Sequence, residues 1–194
     1  MIGNGPSLRN VPDEFLASRP TFGSNRIYLR FVPTYYVVIN PLVIANNFDE
    51  IEALDTTKFV RANSGLTGCL LYKGLKDKFS HNPFAWVNEG YSVTHVSLQL
   101  AYYMGFSTVL LVGVDHRYEF TGKPNEMQLM ENDPNHFDPE YFKGQIWQTP
   151  DLDKSAFYFS HASINYTLDG RKIINLTEGT ALDTFEKGDI NEWM

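Results

Sequence analysis

The strongest hint of chemistry lies in the first residues of the chain, Gly3-Asn4-Gly5-Pro6-Ser7. Glycines and an Asn-Gly step let successive backbone N–H groups point to one place, and such a nest of amides holds phosphate or nucleotide oxygens. The same residues are also typical of an ordinary turn. The segment is therefore a candidate phosphate-binding loop, with a plain turn as the alternative.

Polar residues that suit ligand binding recur at the ends of other predicted elements. Two predicted strands end at an asparagine, an almost continuously apolar strand ends near a glycine and an aspartate, and a long helix begins near a serine and a threonine. Each residue alone is explained equally well as a turn former or a helix cap. In an open parallel sheet, however, ligands bind beyond the carboxyl ends of the strands, where helix N-termini also point, so a shared edge favours a site. With the first loop included, the predicted ligand-binding residues are Gly3, Asn4, Gly5, Pro6, Ser7, Asn25, Asn40, Ser92, Thr94, Gly113 and Asp115.

Histidines supply the candidates for acid–base chemistry, because imidazole exchanges a proton near neutral pH. His136 lies between Pro134 and Pro139 in a predicted loop, where functional residues are common, and it is the preferred candidate. His116 follows the apolar strand and is the rival assignment. His95, in the first turn of the long helix, faces either the site or the core.

Alternating strand-like and helix-like segments must position these residues. The clearest pair is a helix over Thr94–Met104 followed by the apolar run Thr108–Asp115, which is typical of a parallel strand covered on both faces. The alternation predicts an α/β fold with a doubly wound, mainly parallel sheet and helices on both faces. The remaining predicted helices are Pro12–Ser18, Asn46–Leu54 and Leu152–Thr167. The remaining predicted strands lie within Thr21–Leu29, where the strand ends near Asn25, and over Tyr35–Ile39, Lys58–Ala62 and Arg171–Leu176. Residues 63–90 are expected to be irregular, with a short hairpin.

Length and composition limit the classes of protein to consider. At 194 residues and 43% hydrophobic content the chain fits a single domain over residues 1–194 with one sizeable core. A net charge of −7 with scattered basic residues argues against nucleic-acid binding. The single cysteine, Cys69, is expected to be a small apolar residue, and it excludes an internal disulfide. No apolar run reaches the length of a membrane span, and a cytoplasmic location is expected.

Several strings of residues together resemble a known superfamily. They are Gly-Asn-Gly-Pro-Ser-Leu at residues 3–8, Tyr-Tyr-Val-Val-Ile-Asn-Pro at 35–41, Leu-Val-Gly-Val-Asp at 111–115, Asp-Pro-Asn-His-Phe at 133–137 and Gly-Arg-Lys-Ile-Ile-Asn-Leu-Thr at 170–177. The pattern resembles the 6-hydroxymethylpterin diphosphokinase-like domain family, in particular its motility-associated and surface-glycan branch. It is also similar to that of the bacterial sialyltransferases that use CMP-activated sialic acid and have a Rossmann-like fold.

The sialyltransferase resemblance implies a role for most of the predicted site residues. Asn4, Gly5 and Ser7 would line the nucleotide phosphate and ribose site, the two strand-end asparagines would bind nucleotide or donor sugar, and the helix start would face the nucleotide. Tyr118 would help the phosphate to leave, and His136 would act as general base towards the acceptor hydroxyl. The resemblance also implies a Rossmann-like sheet, with residues 116–170 as a lid or active-site insertion and a C-terminal segment that closes the site. The implied enzyme is a metal-independent glycosyltransferase that needs no cofactor, with a nucleotide-sugar donor and a glycan acceptor as its partners.

Two alternatives remain open at this stage. The family name implies a pyrophosphoryl transfer from ATP to a hydroxymethylpterin-like substrate, which requires Mg²⁺, and Asp115, Asp133 and His136 are the available ligands. The second alternative is a non-catalytic nucleotide-binding module of a larger glycan-biosynthesis protein, which the short stretch Met1-Ile2 before the loop permits. A homo-oligomer is compatible with either reading.

Overall fold

A mainly parallel β-sheet runs through the molecule, whose structure is a computed structural model that describes residues 1–75 and 77–194. The strands are β1 (Phe22–Ser24), β2 (Tyr35–Val38), β3 (Thr57–Arg61), β4 (Cys69–Leu71), β5 (Thr108–Leu111), β6 (Met127–Leu129), β7 (Ile146–Gln148), β8 (Lys172–Asn175) and β9 (Glu186–Lys187). The α-helices are α1 (Asp13–Ala17), α2 (Pro41–Asn46), α3 (Phe48–Glu52), α4 (Val93–Tyr103) and α5 (Leu152–Leu168), and 3₁₀ turns cover Pro6–Asn10, Ile27–Leu29 and Ile190–Trp193.

The first residues of the chain join two parallel groups of strands. One group has the order β1-β2-β3-β4 and the other β5-β8-β9. The Ile2 N–H donates to the Phe22 carbonyl over 2.8 Å, and the Gly3 N–H donates to the Val112 carbonyl over 2.8 Å. The chain thus moves outwards from Ile2 to β4 and then returns to β5 on the other side. The place where the winding direction reverses, between Gly3 and Val112, is the topological switch point at which such sheets bind ligands.

Apolar side chains alternate between the two faces of the sheet, as the pleat requires. Along β2, Tyr36 and Val38 enter one core cluster and Val37 enters the other. The first cluster is covered by α1, α2 and α3, and the second by α4 and α5, which contribute Leu98 and Phe159. Helices therefore lie on both faces, and the prediction of a doubly wound, Rossmann-like α/β fold is confirmed.

Three predictions of local structure need correction. The helix expected over Asn46–Leu54 is present as α3 but begins only at Phe48, because Asn47, whose side-chain amide donates to the Val43 carbonyl over 2.8 Å, separates it from α2. The hairpin expected within residues 63–90 is absent from the described part of that segment: β4 pairs in parallel with β3, and Lys73 forms a parallel bridge with Val87. Because β4 is the edge strand, Cys69 is exposed rather than packed as a small apolar residue.

The segment predicted as an insertion, 116–170, has two parts of different kind. Its first part carries the antiparallel ribbon of β6 and β7, which stands apart from the main sheet. Its second part is α5, in which Phe159 and Tyr166 are each 1% exposed and belong to the core. The role of this segment as a lid or insertion stays a prediction. No helix within residues 1–75 and 77–194 is long and apolar enough to cross a bilayer.

Candidate functional site

A cleft of about 670 Å³ opens at the carboxyl ends of the parallel strands, beside the switch point. Twelve of the fourteen predicted site residues line it, and they come from six separate places in the chain. Pro6 and Ser7 lie just behind the wall, in the first turn of the 3₁₀ helix Pro6–Asn10. The predicted site residues that line the cleft are Gly3, Asn4, Gly5, Asn25, Asn40, Ser92, Thr94, Gly113, Asp115, His116, Tyr118 and His136.

In the loop over residues 3–7, the glycine loop, the N–H groups of both glycines are used within the protein and are not free for a phosphate. The Gly3 N–H donates to the Val112 carbonyl over 2.8 Å, and the Gly5 N–H donates to the Gly113 carbonyl over 2.9 Å. The expected cradle of amides therefore needs correction, because these two donors join the loop to the strand beside it. A bond across more than a hundred residues of chain cannot be seen in the local sequence pattern.

Asp115 occupies the position that an anion would take at this loop. Its carboxylate accepts the Ser7 N–H over 3.1 Å and the Ser7 hydroxyl over 2.7 Å. A Cβ placed on Gly5 would lie 1.9 Å from Asp115 Oδ2, so glycine is required there by close packing. A ligand phosphate would meet the charge of Asp115 at this point, and the loop serves to build the wall of the cleft.

His136 is held by a buried carboxylate three residues before it. Its Nδ1 lies 2.8 Å from both carboxylate oxygens of Asp133, whose side chain is 0% exposed. An ionised carboxylate only accepts hydrogen bonds, so Nδ1 carries the proton and Nε2 is the nitrogen left to take one. The Tyr141 ring stacks on the imidazole with centroids 4.2 Å apart and planes at 4°. This arrangement fixes both the tautomer and the orientation of a histidine at the cleft wall.

The backbone around His136 is fixed to the glycine loop. The Phe137 N–H donates to the Asn4 carbonyl over 2.9 Å. The Arg9 guanidinium donates to the Phe137 carbonyl over 2.6 Å and to the His136 carbonyl over 3.1 Å. The histidine is thereby placed relative to the switch point although it comes from a loop far along the chain.

Tyr118 lies next to His136 in the cleft wall, with ring centroids 6.0 Å apart. Burial raises the pKa of Tyr118 to about 12, and the charges of Asp115 and Asp133 add to the shift. The hydroxyl therefore stays protonated at neutral pH and is available as a hydrogen-bond donor.

His116, the rival histidine, is engaged with α5. Its Nε2 lies 3.1 Å from the Ser155 hydroxyl, which in turn donates to the Leu152 carbonyl over 2.9 Å. Since the Ser155 proton is used in that way, His116 Nε2 carries the hydrogen of the shared bond. Burial lowers the pKa of His116. His116 is therefore a neutral side chain that connects the loop after β5 to the first turn of α5.

Some polar residues at the other strand and helix ends cap helices, and others have an oxygen without a hydrogen-bond partner. Asn40 Oδ1 accepts the Leu42 N–H over 2.9 Å and caps α2, and the Ser92 hydroxyl accepts the Thr94 N–H over 3.2 Å and caps α4. Within the described residues, Oδ1 of Asn4 and Oδ1 of Asn25 are buried without a hydrogen-bond partner. Buried acceptors are normally paired, so these two oxygens are available to donors of a ligand.

A group of charges at the opposite end of the cleft was not recognised from the sequence. Glu89 binds Arg61 and Lys73, with an N–O distance of 2.7 Å in each pair, and all three side chains line the cleft. Within this group, two cations share one carboxylate. The residues come from β3 and from the irregular segment after it, so only the folded chain brings them together.

The three side chains expected as metal ligands bind other groups of the protein. Asp133 and His136 bind each other, whereas Asp115 binds Ser7. Over residues 1–75 and 77–194, no three histidine, cysteine, aspartate or glutamate side chains form a group that could hold a metal ion.

These features define an α/β protein with a ligand cleft at the switch point of a doubly wound sheet. No protein-family model matches the sequence, and no curated protein matches it either. Among solved structures, the chain is similar to the MAf glycosyltransferase from Magnetospirillum magneticum AMB-1, with a TM-score of 0.58 and 13% identity. The alignment covers 96% of this chain and 32% of that one, so this chain spans about a third of its length. At this identity the likeness shows a shared fold.

Proposed function

We propose that this chain is a glycosyltransferase domain that moves a sugar from a nucleotide-activated donor, a CMP-sugar, to a glycan hydroxyl, with His136 as general base. The observation that carries the proposal is the Asp133–His136 pair, with both Nδ1–O distances at 2.8 Å, in the wall of the switch-point cleft. The resemblance to sialyltransferases and to the surface-glycan branch supports the same class of reaction.

His136 acts on the acceptor in the proposed reaction. Nε2 takes the proton of the acceptor hydroxyl as its oxygen forms a bond to the anomeric carbon of the donor sugar. The bond from that carbon to the phosphate oxygen breaks, and the nucleotide leaves with the electron pair. Asp133 stabilises the imidazolium that forms and keeps the ring in place, which makes it a positioning residue.

Tyr118 assists the leaving group in this proposal. Its protonated hydroxyl donates to the phosphate oxygen on which negative charge develops. Arg61 and Lys73 lie in the cleft wall, paired with Glu89, and their cationic groups can donate hydrogen bonds to anionic groups of the ligand. The start of α4 at Ser92 adds the positive end of a helix dipole to the same wall.

Asn4 and Asn25 recognise the neutral part of the ligand. Their unpartnered Oδ1 atoms accept hydrogen bonds from hydroxyls of the ribose or the sugar. The Asn4 side-chain amide donates to the Ser24 carbonyl over 3.1 Å, which fixes the direction of its oxygen. Asn25 has a φ of 53°, a left-handed conformation that asparagine tolerates better than most residues.

Calorimetric titration with CMP, UDP and ATP, each with and without Mg²⁺, tests the proposal. Binding of CMP that does not depend on Mg²⁺ is expected. Asn4→Ala should weaken it, whereas Asn10→Ala, at an exposed asparagine outside the cleft, should not. Tight binding of ATP only in the presence of Mg²⁺ would contradict the proposal and support a pyrophosphokinase.

A further inference from the structure

Tyr91 has a backbone conformation that a bulky side chain rarely adopts. Its φ is 55°, and Gly90 before it has a φ of 52°, so two successive residues are left-handed. For a tyrosine this is a true outlier, and such outliers persist where the surrounding structure requires them. Glycine is required at position 90, because a Cβ there would lie 2.4 Å from Cδ2 of the buried His95.

The turn brings the Tyr91 ring into the cleft. Tyr91 lines the cleft directly before the Ser92 cap of α4 and is 50% exposed, unlike the aromatic side chains of the core. An exposed tyrosine at this position leaves apolar ring surface in water. That cost is offset when a ligand covers the ring.

One face of the Tyr91 ring is supported by α5. Tyr158 stacks with it at a centroid distance of 6.1 Å and an interplanar angle of 21°, and Lys154 Nζ lies 4.7 Å from its centroid. Lys154 and Tyr158 are four residues apart on one side of α5, so one surface of that helix makes both contacts. The Tyr158 hydroxyl donates to Asp77 over 2.9 Å, which fixes the supporting ring. The part of Tyr91 that these contacts leave uncovered, half of the side chain, is accessible to a ligand in the cleft.

Tyr91 and His136 lie on different sides of the sheet edge. His136 packs against Tyr141 and Phe142, which belong to the cluster covered by α1, α2 and α3. Tyr91 packs on α5, which covers the other face. A ligand that lies across the edge with its reacting bond at His136 therefore places its far end at Tyr91. In a nucleotide-sugar the part farthest from the transferred sugar is the base.

We propose that Tyr91 is the stacking platform for the nucleobase of the donor. Aromatic side chains stack on the π-face that every base has, and such contacts contribute substantially to nucleotide affinity. The proposal rests on the proposed function, because it requires a nucleotide donor in this cleft. It adds a nucleobase-binding residue on the side of the cleft remote from the chemistry.

The test compares CMP with ribose 5-phosphate, which lacks the base, by calorimetry. Tyr91→Ala should weaken CMP binding about tenfold and leave ribose 5-phosphate binding unchanged. Tyr91→Trp should keep CMP affinity, and the fluorescence of the new tryptophan should be quenched by CMP. Tyr103→Ala is the matched control, since Tyr103 is 49% exposed near the other end of α4, outside the cleft.

Equal CMP affinity in Tyr91→Ala and in the unaltered protein would overturn the proposal. So would an equal loss of CMP and ribose 5-phosphate affinity, which would place the ribose or the phosphate at Tyr91, or a loss confined to the glycan acceptor. If the unaltered protein binds none of the nucleotides, the proposed function fails instead. If Tyr91→Trp keeps its affinity for CMP, the loss in Tyr91→Ala is due to the missing aromatic ring and not to a misfolded turn.

Discussion

Replacing Asp133 by asparagine removes the charge that holds His136 without changing the size of the side chain. The carboxylate receives the Nδ1 proton at 2.8 Å and also accepts the Asn135 N–H over 3.0 Å and the Phe142 N–H over 3.2 Å. An asparagine presents one acceptor and one donor in the same place. A donor facing Nδ1 favours the other tautomer, in which Nε2 carries the hydrogen and cannot take another at neutral pH.

The expected effect on turnover follows from the loss of general base catalysis. Such catalysis contributes about 10²–10⁴-fold, so kcat for sugar transfer should fall by that factor, or about 3–5 kcal/mol of barrier. Nucleotide affinity should be unchanged, because Asp133 contacts the histidine and the backbone. One hydrogen bond lost from a buried group should lower the free energy of unfolding by about 1–2 kcal/mol.

Asp138→Asn is the matched control on the same loop. Its carboxylate accepts the Glu140 N–H over 2.8 Å at an exposed position and does not contact His136. The control should keep the kcat of the unaltered protein. Initial rates at saturating donor, with unfolding in urea measured alongside, separate catalysis from stability. A folded Asp133→Asn variant with kcat within about twofold of the unaltered protein would refute the role of the pair.

Three further predictions concern stability. Burial lowers the pKa of His95 to about 3 from 6.5, so the unfolded chain binds a proton below about pH 6.5 that the folded protein does not. Stability should therefore fall by about 2 kcal/mol between pH 6.5 and pH 5, and His95→Phe, in an aromatic environment, should abolish that part of the loss in urea titrations. An unchanged pH dependence in His95→Phe would contradict this. Gly5→Ala should lower the free energy of unfolding by about 1–3 kcal/mol, because its Cβ would meet Asp115 Oδ2 at 1.9 Å. An equal Tm for Gly5→Ala and the unaltered protein would contradict this and show that the loop relaxes around the new Cβ. Ser7→Ala loses the hydrogen bond from the Ser7 hydroxyl to Asp115 and should lower the free energy of unfolding by about 1 kcal/mol.

The sequence predicts the fold and the edge of the sheet at which the polar residues meet. Helical spacing before Thr108 and the apolar run after it determine a parallel sheet, and a parallel sheet brings its strand ends to one edge. This is why Asn25 and Asn40 reach the same cleft as the glycine loop. Their roles in binding stay predictions.

Features that depend on contacts between distant residues could not be predicted. The N–H groups of Gly5 and Ser7 donate to Gly113 and Asp115, and the local sequence pattern does not reveal these hydrogen bonds. Asp133 was recognised only as a possible metal ligand, although its spacing from His136 was visible, because the direction of the carboxylate depends on the folded loop. The left-handed turn at Tyr91 has no sequence signal, because tyrosine rarely adopts a positive φ.

The most direct test of sugar transfer by this cleft compares His136→Ala with the unaltered protein. Transfer from a CMP-sugar to a glycan acceptor is followed by chromatography of the products, and CMP affinity is measured on the same preparations. We expect His136→Ala to abolish transfer and to bind CMP with nearly unchanged affinity. A His136→Ala variant that transfers sugar at the full rate would contradict it.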